Sequence, residues 1–408
     1  MSSRRVALSL LVIIVAFGAL LAAILALIIG VWIGGRHGDL VPQPLRSALV
    51  GSNDQIIVNE ALDVIDDTYY RKLAPGQLAD TAIAGAVKKL NDRFSTYFTP
   101  AEYKKFEEAQ TSSFTGIGVS VDRSKRGLLI RSVYKESPAK EAGIKVGDQI
   151  VEANGRSLKG LTTEQSSQLV KGPAGTKVRL KIVGDGKERT VVATRRAVSV
   201  PVVASLMKTV CGKKIGVVAL SSFTSGAHAE VYAALQKLKK QGAQAYIFDL
   251  RNNGGGLVDE AQLVASAFLA NGPIVTTRGR NVRTRTLNAV GNPIIPKAPL
   301  VVLTNAGSAS ASELVAGALQ DRGRATLVGE KTFGKGVFQQ VIELSNGGAL
   351  DLTAGQYFTP KGRNLGGRGV SQGAGLKPDL LVKQPDQATK DLALRAALAK
   401  LGGCANVN

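Results

Sequence analysis

Residues Asn305 to Glu313 read Asn-Ala-Gly-Ser-Ala-Ser-Ala-Ser-Glu, between an apolar run at Leu300–Thr304 and a helical pattern at Leu314–Leu319. This order predicts a buried strand that turns tightly into a helix, with small residues at the turn. Backbone N–H groups at the start of a helix are free, and together with the helix dipole they favour negative charge. A serine placed there can attack a carbonyl group while neighbouring N–H groups stabilise the oxyanion.

The same residues have a simpler interpretation. Ser310-Ala311-Ser312-Glu313 also matches the S-x-x-E capping box, whose ordinary role is to begin a helix. The catalytic interpretation gains support from Thr332-Phe333-Gly334-Lys335-Gly336, where a lysine stands between two glycines. Glycines let a backbone approach another segment closely, and a lysine that serves only for solvation does not need them.

The chain has 408 residues, enough for two or three domains with sizeable cores. It carries 52 lysines and arginines against 31 acidic residues, a formal net charge of +21. Such an excess is compatible with nucleic acid or an anionic membrane as a partner. Aromatic residues make up only 5%, and the sequence has no concentrated basic run and no nucleic-acid module. We therefore expect a basic surface near a membrane and no nucleic-acid partner.

The N-terminal residues predict the compartment. Arg4 and Arg5 precede an uncharged run, residues 6–35. As a helix this run would be about 45 Å long, which exceeds the roughly 30 Å hydrocarbon core of a bilayer. It is longer than the ~7–15-residue apolar part of a signal peptide, so it predicts a retained transmembrane anchor, although small residues such as Ala22 leave cleavage open. The two arginines predict a cytoplasmic stub at 1–5 and an extracytoplasmic chain, periplasmic or extracellular, beyond the anchor.

Cysteines and histidines are few. Cys211 and Cys404 can pair in an oxidising compartment, but the sequence does not decide whether they do. The only histidines are His37 and His228, which cannot form a metal-ligand cluster, so we expect no metal. His228 stands at the start of an amphipathic helix pattern, where a surface or capping role is favoured over a catalytic one.

Changes in pattern divide the rest of the chain. Residues 36–55 are polar and contain proline, which predicts a stalk, and residues 56–112 have apolar residues three and four apart, which predicts a supporting helical segment. Residues 113–198 change to short strand patterns around one helix at Thr162–Lys171. The predicted strands are Gly116–Val121, Leu128–Val133, Gln149–Ala153, Lys177–Val183 and Thr190–Thr194.

Four short motifs in residues 113–198 belong together. They are Phe114-Thr115-Gly116-Ile117-Gly118-Val119, Ser137-Pro138-Ala139, Ala142-Gly143-Ile144 and Val146-Gly147-Asp148-Gln149-Ile150. In this order they resemble a PDZ domain of the bacterial protease type. PDZ domains add a peptide as a strand at a sheet edge and bind its terminal carboxylate with backbone N–H groups. The resemblance implies a carboxylate-binding loop at Gly116, Ile117, Gly118 and Val119; the alternative is that the two glycines only make a turn.

Beyond Lys213, short apolar runs alternate with helix patterns, which predicts a largely parallel sheet covered by helices. The predicted strands are Ile215–Leu220, Ala245–Leu250, Leu300–Thr304 and Thr326–Gly329, and the predicted helices are Gly226–Lys240, Asp259–Leu269 and Glu313–Gln320. Residues Asp249 to Leu257 read Asp-Leu-Arg-Asn-Asn-Gly-Gly-Gly-Leu after one strand. They lack the spacing and the Lys-Ser/Thr pair of a phosphate loop, so a bent backbone that offers an N–H group to an oxyanion is favoured.

Residues 56–382 as a whole resemble the carboxyl-terminal processing peptidases, also called tail-specific proteases. In that family S-A-S-x-E holds the nucleophile and T-F-G-K-G-x-x-x-Q holds its base, which implies Ser310 as the nucleophile and Lys335 as the general base. The resemblance also implies that Gln339 orients the lysine amine. It implies oxyanion donors at the backbone N–H groups of Ala311 and Gly255, although Gly254 stands where the family usually has proline. A loop near Gly366–Gly373 is longer than in the family.

The implied architecture is an α/β protease core with a crotonase-like ββα arrangement at 199–384 and a PDZ domain inserted at 113–198. The helical segment at 56–112 and one N-terminal transmembrane helix at 6–35 precede these domains. A C-terminal helix and tail occupy residues 385–408.

A lysine base is also consistent with the residues themselves, because beyond the stalk only His228 is available for a histidine triad. Lysine serves as a base only when neutral, and its ordinary pKa is about 10.4. Burial lowers this value, and Phe333, Val337 and Phe338 are apolar neighbours in the sequence. The alternative is an exposed hairpin lysine.

The sequence thus predicts a membrane-anchored extracytoplasmic serine endopeptidase that needs no metal or organic cofactor. It would recognise unfolded or tailed proteins with apolar C-termini through the PDZ domain and cleave near those termini with a Ser–Lys dyad. A homo-oligomer or an adaptor protein is left open, as is whether the PDZ domain activates or inhibits. The competing functions are a PDZ scaffold on an inactive protease fold and a lipid-carrying relative of this fold.

Overall fold

The computed structural model describes residues 17–26, 53–367, 374–385 and 389–404. The predicted stub at 1–5, most of the predicted anchor at 6–35 and most of the stalk lie outside these ranges. Residues 17–26 form a helix with exposed side chains. Among the described residues, no helix combines the length and the apolar character that crossing a membrane requires.

The secondary-structure elements are numbered here in chain order. Helices α1 to α9 span Asn53–Thr68, Gln77–Lys88, Pro100–Gln110, Pro138–Glu141, Thr163–Val170, Ala227–Lys240, Val258–Ser266, Ala311–Asp321 and Leu392–Gly402. Strands β1 to β10 span Thr96–Phe98, Ser113–Gly116, Val119–Ser124, Gly127–Val133, Gln149–Ala153, Arg156–Ser157, Lys177–Gly184, Lys187–Thr194, Arg196–Ser199 and Val203–Val210. Strands β11 to β19 span Lys213–Leu220, Ala245–Asp249, Pro273–Gly279, Arg285–Asn288, Leu300–Thr304, Thr326–Gly329, Val337–Glu343, Ala349–Phe358 and Leu380–Leu381.

By its internal contacts the chain divides into two compact units, residues 1–86 and 87–408. In the first unit, α1 exposes most of its apolar side chains, including Ile57 and Val64. A turn at Ala74-Pro75-Gly76 precedes α2, and Gly76 has a φ of +79°. The helices predicted on either side of this turn are confirmed.

The second unit begins with an element that sequence reasoning missed. Residues 56–112 were expected to be helical, but Thr96–Phe98 form strand β1, which pairs antiparallel with β18. Three residues give too little periodicity to separate a strand from its helical surroundings. Helix α3 then begins at Pro100, where Glu102 accepts the N–H of Thr99 at 2.9 Å and proline occupies the first helical position.

Residues 113–199 form a small β domain. Its main sheet has the order β3-β4-β5-β7-β8, and β3 forms one edge of that sheet. The predicted strand Gly116–Val121 is wrong as one element, since β2 ends at Gly116 and β3 begins at Val119. Gly118 separates them with a φ of +77°, and a Cβ there would collide with Ser137. The chain therefore needs glycine at this bend.

Residues 200–404, here called the C-terminal half, contain the predicted parallel sheet, in the order β10-β11-β12-β15-β16-β19. Strands β11, β12, β15, β16 and β19 are parallel, and β10 is antiparallel to β11. Apolar residues on one sheet face pack with those of α6, α7 and α8, and residues on the other face pack with those of α9. Burial of both faces explains why these strands are continuous apolar runs.

A second sheet completes this half. Its order is β1-β18-β13-β14, and β17 also pairs with β18. This sheet places the segment after Lys335 against β18, where Gln339 lies opposite Thr353 and Val341 lies opposite Asp351. The crotonase-like detail of the predicted fold remains a prediction.

A disulfide joins Cys211 and Cys404, whose Cα atoms are 6.5 Å apart. Cys211 lies in the turn between β10 and β11, and Cys404 follows α9. The bond therefore fastens the segment that follows α9 to the edge of the parallel sheet, and it settles a pairing that the sequence left open.

Candidate active site

Three loops meet at the carboxyl ends of parallel strands. Strands β12, β15 and β16 are neighbours in the sheet and run in the same direction. The glycine turn follows β12, the serine stretch follows β15, and the lysine loop follows β16. Carboxyl ends of adjacent parallel strands form the usual binding edge of such a sheet.

Ser310 has an unusual backbone conformation immediately before α8. Its φ is +52° and its ψ is −116°, a region that L-residues other than glycine rarely adopt. Such a conformation costs on the order of 1–3 kcal/mol and is concentrated at functional sites. A serine that only caps a helix has extended backbone angles, so the capping role alone does not explain this geometry.

The neighbouring serines have structural roles. Ser308 Oγ donates to the carbonyl oxygen of Leu250 at 2.8 Å, and Ser312 Oγ donates to that of Asn253 at 2.8 Å. Both residues are fully buried, whereas Ser310 keeps an exposed fraction of 8%. Of the three serines in the stretch, only Ser310 retains a measurable exposed fraction.

The glycine turn lies directly against the serine stretch. Gly255 has a φ of +104°, and a Cβ on it would be 2.8 Å from the Cβ of Ser310 and 2.9 Å from the nitrogen of Ala311. Only glycine fits such an approach. Ala311 is the first residue of α8, so its N–H has no partner within the helix. Two predicted oxyanion residues therefore lie beside the predicted nucleophile.

Asn253, which sequence reasoning missed, organises this turn. Its side chain is fully buried, and Nδ2 donates to the carbonyl oxygen of Leu220 at 2.8 Å. Its Oδ1 accepts the N–H of Gly255 at 2.9 Å, and its carbonyl oxygen accepts the N–H of Ala309 at 3.0 Å. The predicted oxyanion N–H of Gly255 is thus already engaged, and Ala311 has the free donor.

Arg251 lies in the same turn and is also fully paired. Its guanidinium group donates to both carboxylate oxygens of Asp249 and of Asp391, at 2.6 to 2.9 Å. These ion pairs raise the pKa of Arg251, although burial opposes them. The cation is saturated by protein carboxylates, which agrees with the low weight that the sequence placed on a phosphate loop.

Glu313 connects the serine stretch to the lysine loop. Its carboxylate is fully buried. Oε2 accepts the N–H groups of both Ser310 and Lys335 at 2.9 Å. Oε1 accepts the hydroxyl of Thr332 at 2.5 Å and the N–H of Gly334 at 2.8 Å. The capping contact predicted from S-x-x-E is therefore present, and the same carboxylate also binds the loop that carries the predicted base.

The ionisation of Glu313 is subject to two opposing effects. Burial raises its pKa above the ordinary value, while the four donated hydrogen bonds act in the opposite direction. All four partners are donors, and Thr332 Oγ1 itself accepts the N–H of Leu376 at 2.7 Å. This set of partners fits the ionised carboxylate, because the three N–H groups can only donate and the Thr332 hydroxyl is placed to donate as well.

Lys335 is partly buried in its loop. Burial lowers the pKa of its amine below the ordinary value, whereas the carboxylates of Asp351, Asp92 and Glu313 raise it. The Nζ atom lies 5.0 Å from the centre of the Phe94 ring. Within the described part of the chain, no hydrogen bond joins this amine to the Ser310 hydroxyl. The fold thus brings the two predicted dyad residues into adjacent loops that share the Glu313 carboxylate.

Gln339 lies on β17, four residues after the lysine. Its Nε2 donates to Thr353 Oγ1 at 3.2 Å, across the pair of strands. The side chain is therefore held by Thr353, and its predicted role in orienting Lys335 remains a prediction.

His228 has a partner that the sequence did not reveal. Its Nδ1 lies 2.8 Å from Glu260 Oε2, and Glu260 also accepts the N–H groups of Gly226 and His228. The buried Glu260 thereby closes the start of α6. This agrees with the structural role expected for His228 at a helix start.

The predicted carboxylate-binding loop, Gly116 to Val119, lies at the end of a small groove. The groove runs between the sheet edge β3 and helix α5, and it is lined by apolar side chains with Lys171 at its rim. The carbonyl oxygens of Ile117 and Gly118 accept protein N–H groups. Within the described residues, the N–H groups of Ile117 and Gly118 have no backbone partner.

Comparison with known proteins agrees with these features. Residues 214–382 match the family model for Peptidase family S41, and residues 129–184 match a PDZ domain model. The carboxy-terminal processing protease CtpA of Bacillus subtilis is 34% identical over 374 residues, which cover 91% of this chain and 78% of that protein. The chain belongs to peptidase family S41.

Two further relatives are similar to this S41 peptidase. A carboxyl-terminal-processing protease of Synechocystis sp. is 38% identical over 310 residues, which cover 75% of this chain and 71% of that protein. A solved photosystem II D1 C-terminal processing protease is 29% identical, with a TM-score of 0.49, and the match covers 86% of this chain and 97% of that one. The protein is thus a carboxy-terminal processing protease with a PDZ domain that acts on peptides or proteins, as the sequence predicted.

The position of Glu313 generates a prediction. In Glu313→Gln the new NH₂ group faces protein donors, so buried N–H groups of the serine and lysine loops lose their acceptor. Each donor left unpaired lowers the free energy of unfolding by about 1–3 kcal/mol. A displacement of about 1 Å at a reacting centre can cost roughly 100-fold in rate. We expect a lower midpoint of urea unfolding and a kcat at least about 100-fold lower, with peptide binding by the PDZ domain retained.

The control is Glu343→Gln, since Glu343 is exposed on β17 of the neighbouring sheet. It should leave both the unfolding midpoint and kcat unchanged. A Glu313→Gln protein with wild-type kcat would show that Glu313 does not position the two loops.

Proposed function

We propose that this S41 protein is a serine endopeptidase with a Ser310–Lys335 dyad, anchored in a membrane with its catalytic part outside the cytoplasm. The observation that supports the dyad is a shared acceptor: Oε2 of Glu313 accepts the backbone N–H groups of both Ser310 and Lys335. A helix cap needs only the first of these contacts. The second contact brings the lysine backbone to the serine turn.

In the proposed reaction, Ser310 Oγ attacks the substrate carbonyl carbon while its proton passes to the neutral Lys335 amine. The tetrahedral intermediate collapses as the lysine ammonium returns that proton to the leaving amine, which leaves an acyl-enzyme. Water then attacks the ester carbonyl while Lys335 accepts one of its protons. The second tetrahedral intermediate collapses as the lysine ammonium returns that proton to Ser310 Oγ, and the product acid leaves and ionises. The lysine side chain has to swing towards Ser310 before the first step, a rotation of a flexible four-carbon chain.

We propose that the oxyanion is bound by the N–H of Ala311, with the N–H of Gly255 as second donor. The first is free at the start of α8. The second would have to release Asn253 Oδ1, and the short separation between Gly255 and Ser310 makes such an exchange feasible once substrate is bound. Backbone N–H groups that bind the oxyanion are a usual source of rate enhancement in acyl transfer.

We propose that the loop Gly116 to Val119 binds the C-terminal carboxylate of a substrate, whose last residues add as a strand to β3. The free edge of β3 and the unpartnered N–H groups of Ile117 and Gly118 support this mode. The groove is narrow and lined by Leu128, Ile150 and Val170. It therefore favours a small apolar terminal side chain.

The proposed compartment rests on two features. Arg4 and Arg5 precede the uncharged residues 6–35, which favours a cytoplasmic N-terminus and an exported catalytic part. The disulfide between Cys211 and Cys404 is typical of an oxidising compartment outside the cytoplasm. We keep the proposed limits of 113–198 for the PDZ domain and 199–384 for the protease core.

The dyad predicts the behaviour of two variants. Ser310→Ala removes the nucleophile, and Lys335→Ala removes a general base, a group whose contribution is about 10²–10⁴-fold. With a protein that ends in a small apolar residue as substrate, we expect cleavage to fall below detection for Ser310→Ala and at least about 100-fold for Lys335→Ala. Mass spectrometry of the products measures both, and binding of the tail should be unchanged.

Exposed residues of the same types serve as controls. Ser345 and Lys331 lie on the surface of the same half. The variants Ser345→Ala and Lys331→Ala should therefore cleave the substrate at the wild-type rate. If wild-type protein binds the tail but releases no product, it is a PDZ scaffold rather than an enzyme. Wild-type cleavage by both dyad variants would exclude the dyad.

Carboxylate capture gives a second prediction. Amidation of the substrate C-terminus removes a charged acceptor, and hydrogen bonds to charged groups contribute about 1.5–3 kcal/mol. We expect the amidated tail to bind at least about tenfold more weakly, as measured by isothermal titration. The internal control is a tail lengthened by one aspartate. This tail keeps a free terminal carboxylate but presents a charged side chain to the apolar groove. Equal binding of the free and amidated tails would contradict the proposed loop.

A further inference from the structure

Two carboxylates act on the proposed base from outside the dyad. Asp351 exerts the strongest charge effect on Lys335, followed by Asp92 and then Glu313. Glu313 is already fixed by four donors, and its role in the site is described above. Among the described residues, none of the three forms a direct ion pair with the amine, so their charges act across a short distance.

Asp351 lies on the face of β18 that bears on the lysine site. It stands two residues from Thr353, so both side chains point to the same side of the strand. Thr353 accepts the side-chain amide of Gln339, which lies four residues after Lys335. Asp351 Oδ1 is buried, and within the described residues it has no hydrogen-bond partner. A buried carboxylate oxygen without a donor is costly unless a cation is close.

Asp92 approaches the same amine from a different element. It lies in the turn before β1, where its carboxylate accepts the N–H of Phe94 at 2.9 Å and the hydroxyl of Ser95 at 2.6 Å. Ser95 Oγ in turn accepts the N–H of Thr353 at 3.0 Å, which fastens this turn to β18. The Phe94 ring in this turn is the one that lies against the lysine amine.

Asp92 and Asp351 differ in whether a carboxylate oxygen is left without a hydrogen-bond donor. Burial raises the pKa of Asp92, but its hydrogen bonds outweigh that effect and its pKa is lowered. Burial raises the pKa of Asp351, and the nearby lysine only partly offsets this. The acceptor atoms of Asp92 are in use, whereas Asp351 retains an unoccupied oxygen. Arg93 is the other charged group beside Phe94, and its guanidinium group stacks on Phe94 and Phe333.

We propose that Asp351 is a positioning residue for Lys335. Its carboxylate, supported by that of Asp92, favours the ammonium form of the lysine and draws it towards the unoccupied oxygen when Ser310 holds no substrate. The acid thereby sets the pH above which Lys335 becomes a base. This inference rests on the proposed Ser310–Lys335 dyad.

The test is the pH dependence of kcat/KM, because its acid limb reports the base of the free enzyme. Removing a negative charge near an ammonium group lowers the proton affinity of that group. Asp351→Asn should therefore move the acid limb to lower pH, by on the order of one pH unit. Asp351→Glu keeps the charge and should restore the wild-type profile, and Glu343→Gln on the neighbouring strand should not move it.

An acid limb that stays in place in a folded, active Asp351→Asn protein overturns the proposal, and so does a shift to higher pH. Failure of the dyad itself is distinguishable, since it would appear as wild-type cleavage by Lys335→Ala. If Asp351→Asn does not fold, Asp92→Asn provides the second variant and should move the limb in the same direction by a smaller amount.

A measurement on the unmodified chain does not depend on either variant. In protein labelled with ¹³C at the lysine ε-carbon, the Lys335 signal is assigned by its loss in Lys335→Arg. The proposal predicts that this signal shows a second, acidic step as Asp351 titrates, in addition to the step of the amine itself. A single step for Lys335 across the acidic range would overturn the coupling.

Discussion

The site depends on one buried carboxylate that accepts hydrogen bonds from two loops. Glu313 lies one helical turn into α8, so its side chain reaches back to the N–H of Ser310 as any capping glutamate would. Three further donors come from the loop after β16, and one of them is the N–H of Lys335. Desolvation of this carboxylate is tolerable only with all four donors in place. The need to satisfy Glu313 therefore fixes how the serine turn and the lysine loop lie against each other.

Two unfavourable features remain at the site, and both would serve the proposed acyl transfer. Ser310 keeps backbone angles that a side-chain-bearing residue rarely adopts, which presents its hydroxyl beside Gly255 and the start of α8. Lys335 is partly buried, which lowers the pKa of its amine, while the nearby carboxylates raise that pKa. A lysine without these acids would be a base at lower pH, and one without burial would stay charged. The balance between desolvation and the carboxylates thus governs when the amine is neutral.

Much of this architecture can be predicted from the sequence, for identifiable reasons. The strands of the parallel sheet are buried on both faces, so each appears as an uninterrupted apolar run such as Leu300–Thr304. The PDZ domain and the protease core have local motifs whose glycines are required by positive φ or close approach, as at Gly118 and Gly255. Family resemblance supplied the roles of Ser310 and Lys335, which composition alone does not define.

The remainder depends on contacts between residues far apart in the sequence. Strand β1 is three residues long and is defined by its pairing with β18, so no periodicity marks it. Asn253 is an ordinary turn residue until its side chain is seen to hold Gly255. Asp92 and Asp351 are separated by more than half the chain, and only the pairing of β1, β17 and β18 brings both carboxylates near enough to act on the charge of Lys335. The disulfide is likewise a property of the folded chain.

The most direct test of the account is to label the nucleophilic serine covalently. An aryl fluorophosphonate reacts with serines whose proton a neighbouring base removes, and peptide mapping by mass spectrometry locates the adduct. The account predicts one adduct, on Ser310, that forms faster as the pH rises through the acid limb and at least about 100-fold more slowly in Lys335→Ala. An adduct on another residue, or equal labelling of Ser310 with and without the lysine, would contradict it.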